Sequence, residues 1–157
     1  MSATALTPEL LVANSILNTA FKDGHGVSSM KLQKLIYFVY KRYLQETGSP
    51  LFDEHFEVWQ YGPVLPSVYH EFKAHGSANI SDYAYSVFDV EKKVFVVNEK
   101  AKDFYDALNY VWKNYRNYSA TDLSKLTHRE GTAWDRTLKK NQLYISDEDI
   151  KRERWES

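Results

Sequence analysis

Met30-Lys31-Leu32-Gln33-Lys34-Leu35-Ile36-Tyr37-Phe38-Val39-Tyr40-Lys41-Arg42-Tyr43-Leu44 is the stretch on which the reading of the whole chain turns. Ser28 or Ser29 can cap a helix ahead of it, and Gly48-Ser49-Pro50 ends that helix. At about 100° per residue, Leu32, Leu35, Ile36, Val39 and Tyr43 form one apolar stripe, while Tyr37, Phe38, Tyr40 and Leu44 fall outside it. A helix apolar on three sides either sits at the centre of a helical domain or carries surface meant for another protein. Lys31, Lys34, Lys41 and Arg42 share one sector beside the stripe, which is either a phosphate contact or, the favoured reading, the solvated rim of a buried helix.

Towards the N-terminus, Thr7-Pro8-Glu9 is a helix start, and the apolar steps from Leu10 to Ala20 run to a turn at Asp23-Gly24-His25-Gly26. Towards the C-terminus, Phe56-Glu57-Val58-Trp59-Gln60-Tyr61 is β-prone and stops at Gly62-Pro63. Residues 64–75 read as a third helix with Pro66 in its first turn and Gly76 closing it. Residues 87–90 and 94–97 flank Glu91-Lys92-Lys93 and suggest a β-hairpin. Asn98 can cap a helix with Phe104 or Tyr105, Leu108, Val111 or Trp112, and Tyr115 along one face. Ser119-Ala120-Thr121-Asp122 resembles a capping box before Leu123 and Leu126. A short turn follows around Trp134, and Ser146-Asp147-Glu148-Asp149 opens a last helix. The expected class is α+β: a mainly α-helical single domain over residues 1–157, with a small antiparallel β element near 56–61 and 87–97.

Composition narrows the function. The 157 residues carry 20 Lys+Arg against 21 Asp+Glu, so no whole-protein field draws nucleic acid. Cysteine is absent, which removes disulfides, thiolate metal sites and thiol nucleophiles together. Residues 1–7 show neither a basic nor an apolar leader segment, and no run reaches the ~20 apolar residues of a membrane span. A cytoplasmic chain is expected. The 12 Tyr, 8 Phe and 4 Trp must then belong to a core or to a partner surface.

Catalytic signatures fail one by one. His70-Glu71-Phe72-Lys73-Ala74-His75 has one residue more than H-E-x-x-H, and residues five apart on a helix diverge by about 140°. His70 is instead expected as a satisfied polar group near the core. Gly24-His25-Gly26-Val27-Ser28-Ser29 has Ser29 where a dinucleotide loop needs Gly. No G-x-S-x-G elbow is present, and His128-Arg129-Glu130 lacks the Asp of a kinase catalytic loop. Neither a cofactor nor a metal is expected.

Met30 through Phe38, then Trp59-Gln60-Tyr61-Gly62-Pro63-Val64 with Val68-Tyr69 following, resembles the Panacea domain family of SocA-like antitoxins and phage-associated proteins. Leu51-Phe52, the stretch from Tyr118 to His128, and Trp134 also sit where that family would place them. The resemblance implies a non-enzymatic antitoxin that neutralises a protein toxin by direct binding, with RelA/SpoT-like translation blockers among the family's targets. It also implies an alternative, an adaptor that delivers the toxin to the ClpXP protease, and a gene neighbourhood on prophages or mobile elements. With almost no extension outside the domain in these 157 residues, no appended DNA-binding module is expected.

Leu32, Leu35 and Ile36 read as core, while Gly62 allows a sharp turn that Pro63 fixes. Lys34, Tyr37, Phe38, Trp59, Tyr61 and Tyr69 are the expected partner contacts, being large or charged groups that the main stripe does not claim. The tail from Lys151 to Ser157 is a candidate second contact for an adaptor. Pairing of two copies in the absence of toxin stays open.

Overall fold

A computed structural model describes residues 6–155. The leader reading of residues 1–5 and the last two residues of the tail lie outside the described residues. Helix α1 (Pro8–Asp23) leads into α2 (Ser29–Thr47); a hairpin of β1 (Glu57–Trp59) and β2 (Gly62–Val64) follows, then α3 (Pro66–Phe72) with a 3₁₀ turn at Lys73–His75. Four more helices complete the described chain: α4 (Lys102–Tyr115), α5 (Ala120–His128), α6 (Ala133–Lys139) and α7 (Asp147–Arg152). The mainly helical architecture with a small antiparallel β element agrees with the sequence.

The excess apolar surface of α2 is taken up inside the protein. It packs against α1, α3, α4, α5, α7 and β2, and Leu32, Leu35, Ile36, Tyr37, Phe38, Val39, Tyr40 and Leu44 are all buried. Tyr37 meets Phe56 edge-on at 5.2 Å, Tyr40 leans on Phe52 at 4.8 Å, and Phe38 stacks on Tyr115 at 5.0 Å. Each such fully buried side chain contributes about 1.5–3 kcal/mol through lost apolar exposure. Their polar tips are satisfied as well: the Tyr37 hydroxyl donates to Glu153 Oε1 (2.8 Å) and the Tyr40 hydroxyl to Asp147 Oδ1 (2.7 Å).

Capping residues act locally as their chemistry dictates. Ser28, Ser119, Thr132 and Ser146 each accept a backbone N–H from the first turn of α2, α5, α6 and α7. Pro66 occupies the first turn of α3, which is shorter than expected because Val64 is drawn into β2 and the helix tightens to 3₁₀ after Phe72. Asn98 caps only a turn, accepting from Lys100 and Ala101, so α4 begins at Lys102.

The expected hairpin at 87–97 is corrected. That segment runs as successive turns, with Asp89 N–H on Ser86 O, Lys92 N–H on Asp89 O, and Lys92 at φ 53°. Side chains of α1 take the backbone groups that a hairpin would pair. Asn14 Nδ2 donates to Ala84 O and Phe95 O, and Ser15 Oγ accepts from Val97 N. Val87 and Val90 are 92% and 97% exposed, so no cross-strand burial opposes that arrangement. The β element of the described chain is the β1–β2 pair, with Trp59 opposite Gly62 and Gln60-Tyr61 as the turn.

The basic sector of α2 is corrected too. Lys31, Lys34 and Lys41 are buried, not a solvated rim. Lys31 Nζ donates to Arg116 O at the end of α4 (2.5 Å), where a cation suits the helix dipole. Lys41 Nζ bonds Glu153 Oε2 (2.9 Å) and Arg154 O (2.8 Å), and lies 4.0 Å over the Trp155 ring. The tail beyond α7 is therefore an extended strap seated on α2, with Trp155 Nε1 donating to Gln45 Oε1 (2.6 Å). His70, expected near the core, is exposed and lies 3.5 Å from Lys73 Nζ.

Candidate partner-binding groove

Met30, Gln33 and Lys34 lie three and four residues apart and so share one face of α2. The β1–β2 turn arches beside that face, and α3 closes the other side with Tyr69, together with Lys73 four residues on in the 3₁₀ turn. Between them is a groove of about 450 Å³ bordered by Met30, Gln33, Lys34, Trp59, Tyr61, Tyr69 and Lys73, within the range of ligand-binding pockets.

Its walls are held rigidly. The Gln33 side chain clamps the chain after β2, donating to Leu65 O (3.2 Å) and accepting from Leu65 N (2.9 Å). The turn is tied down from α5 and α6: Ser124 Oγ donates to Tyr61 O (2.6 Å), His128 Nε2 meets Gln60 O (2.8 Å), and Trp134 Nε1 donates to Trp59 O (2.9 Å). Trp59 has its indole N–H on Glu57 Oε1 (2.9 Å) and its ring 5.0 Å from Tyr69. Tyr61 is 58% exposed at the mouth.

Lys34 forms the floor. It is 1% exposed, and its amine donates to Pro63 O (3.1 Å) with no carboxylate in ion-pair reach among the described residues. Burial alone pushes this amine down to about 7 from its ordinary 10.5. Gly62 lets the hairpin pass over the lysine: at φ 118°, a Cβ there would sit 2.8 Å from Lys34 Cε and 2.6 Å from Thr127 Oγ1.

Four of the six expected contacts, Lys34, Trp59, Tyr61 and Tyr69, thus meet at one groove. Tyr37 and Phe38 do not. At 0% and 3% exposure they are inside the core, because Phe56, Tyr115 and the Glu153–Trp155 strap cover them. Met30, Gln33 and Lys73 were missed, although the i, i+3, i+4 spacing around Lys34 and the i, i+4 spacing from Tyr69 place them on the same faces.

The profile described as "Antitoxin SocA-like, Panacea domain" matches residues 32–135, which takes in α2 from Leu32 onward, the hairpin, α3 and most of the groove. The chain belongs to this family. The chain is 33% identical over 125 residues to a protein named Antitoxin SocA from Caulobacter vibrioides, a match covering 79% of this chain and 66% of that relative. No solved structure matches the Panacea domain described here at a significant level. Among its described residues no helix is long and apolar enough to cross a membrane.

Proposed function

We propose that the chain is a non-enzymatic antitoxin that binds a protein toxin directly, in the cytoplasm, through the groove between α2, the β1–β2 turn and α3. Membership of a family whose relative is named an antitoxin carries this reading. The convergence of Trp59, Tyr61 and Tyr69 at one rigid groove supports it, since aromatic anchors supply much of the energy of protein interfaces. A translation-blocking enzyme of the RelA/SpoT-like class, encoded beside it on a prophage or mobile element, is the kind of toxin the family resemblance implies.

Co-expression with the product of the adjacent gene tests the reading. The wild-type chain should restore growth and co-elute with the toxin, and Trp59→Ala/Tyr69→Ala should weaken binding by about tenfold or more. A neighbouring product that is neither toxic nor bound would sink it. Tyr37→Ala/Phe38→Ala is no substitute, because those changes open the core.

Delivery of the toxin to ClpXP is the second reading, and it requires a second surface. Lys151–Trp155 does not offer one freely, since Glu153 and Trp155 are engaged by α2. The exposed apolar side chains of Val87, Phe88 and Val90 favour keeping the adaptor reading under test. Toxin half-life that depends on the protease only when this chain is present would identify an adaptor; an unchanged half-life would leave blocking by binding alone.

A further inference from the structure

Lys34 and Lys41 are seven residues apart, two turns along α2, and both are buried. The protein shows how it satisfies one of them. The strap brings Lys41 a carboxylate from Glu153, a backbone carbonyl from Arg154 and the face of the Trp155 ring, in one extended Glu-x-aromatic stretch. Lys34 has the carbonyl, from Pro63, and aromatic rings at hand in Trp59 and Tyr69, but no carboxylate among the described residues. An ammonium carries three donors, and a single carbonyl leaves most of that capacity unused.

The charge pattern points the same way. Among the described residues the groove lining contains two lysines, Lys34 on the floor and Lys73 on the wall, and no acidic residue. Most of the remaining lining is apolar or aromatic, which suits a lone carboxylate beside an apolar side chain better than a polyphosphate needing many donors.

We infer that the groove receives an acidic side chain of the toxin on Lys34, from an extended segment in which an aromatic or large aliphatic neighbour packs against Trp59 and Tyr69. This inference rests on the antitoxin reading and gives its interface a chemistry. The incoming segment repeats in trans what Glu153–Trp155 does in cis two turns further along the same helix.

Short fluorescent peptides alternating glutamate with phenylalanine and leucine, their glutamine counterparts and their phosphoserine counterparts provide the test, read by fluorescence polarisation. The glutamate peptide should bind wild type about tenfold more tightly than the glutamine one, the scale of a hydrogen bond to a charged group. Lys34→Met should abolish that difference without lowering the melting temperature, and Trp59→Ala should weaken both peptides alike. Equal binding of the glutamate and glutamine peptides, a glutamate preference that survives Lys34→Met, tighter binding of the phosphoserine peptide, or no binding of any peptide would overturn the inference. Growth rescue by the same variants separates the two proposals. Full neutralisation by Lys34→Met refutes the role of the lysine and leaves the antitoxin reading standing, whereas failure of wild type to neutralise refutes the antitoxin reading whichever peptide binds.

Discussion

Lys34 and Lys41 are each 1% exposed on the same helix, and they differ in what surrounds the amine. Lys41 is one half of a closed pair with Glu153, whose other carboxylate oxygen accepts from Tyr37 and from the Ala133 backbone. Lys41→Met would strand that carboxylate and cost about 3–5 kcal/mol, the usual penalty for half of a buried pair. Lys34→Met removes a charge that has no counter-ion among the described residues and keeps the volume, so it should stabilise at neutral pH. The pH dependence follows from the lowered amine. Between about 7 in the folded chain and 10.5 unfolded, the unfolded state holds more protons, so stability is fully present above the upper value and falls as pH drops through the lower one. From about pH 7 to about pH 9, wild type should gain on the order of 2 kcal/mol from this group, and Lys34→Met should lose that slope. The window ends there because burial raises the Tyr37 hydroxyl, so above the ordinary tyrosine range the folded state keeps a proton that the unfolded state sheds and stability falls again. Urea denaturation of both chains across that range checks the slope; a slope unchanged by Lys34→Met would show that Lys34 is not the group responsible.

The β1–β2 hairpin links the lysine to the surface, and it turns on Gly62. Alanine there would hold φ at 118° against its own Cβ and would drive that atom into Thr127 Oγ1 and Lys34 Cε. Gly62→Ala should destabilise by about 1–3 kcal/mol and should also blunt toxin binding, because the strand and the groove floor move together. Circular dichroism melts paired with a binding assay check this, and a variant as stable and as tight as wild type would show that the hairpin tolerates the contact. Gly62-Pro63 was legible as a turn, as were the α2 stripe and the serine caps, because each rests on chemistry within a few residues. The 87–97 segment was not, since what decides its backbone is Asn14 and Ser15, about 70 to 80 residues away in sequence. The burial of Lys41 was hidden for the same reason: its partner Glu153 is 112 residues downstream. Local pattern registers that a helix is apolar on three sides, but not which distant segment covers each side.

Across the whole molecule, the aromatic excess divides between enclosure and display. Tyr37, Phe38, Tyr40, Phe52 and Phe56 wrap the middle of α2, while Trp59, Tyr61 and Tyr69 remain at the groove. The candidate groove was legible as a set of residue types near α2 and the hairpin, and illegible as a surface, because two of the six expected contacts serve the core once α4 and the strap close over them. A groove clamped by Gln33 and tied to α5 and α6 is preformed, so little ordering cost is expected on binding and the partner's contribution should appear as added stability of the fold. At a free toxin concentration about a hundred times Kd, linkage adds about 2.7 kcal/mol, if the unfolded chain does not bind. A chain of this length gains about 2–4 °C per kcal/mol, which places the rise in Tm at about 5–10 °C. Lys34→Met should show a smaller rise at the same toxin concentration although its own Tm is no lower, which separates lost affinity from lost folding. Scanning calorimetry of each chain with and without the toxin reads both numbers, and an unshifted Tm for wild type under saturating toxin would mean that the folded domain is not what the toxin recognises.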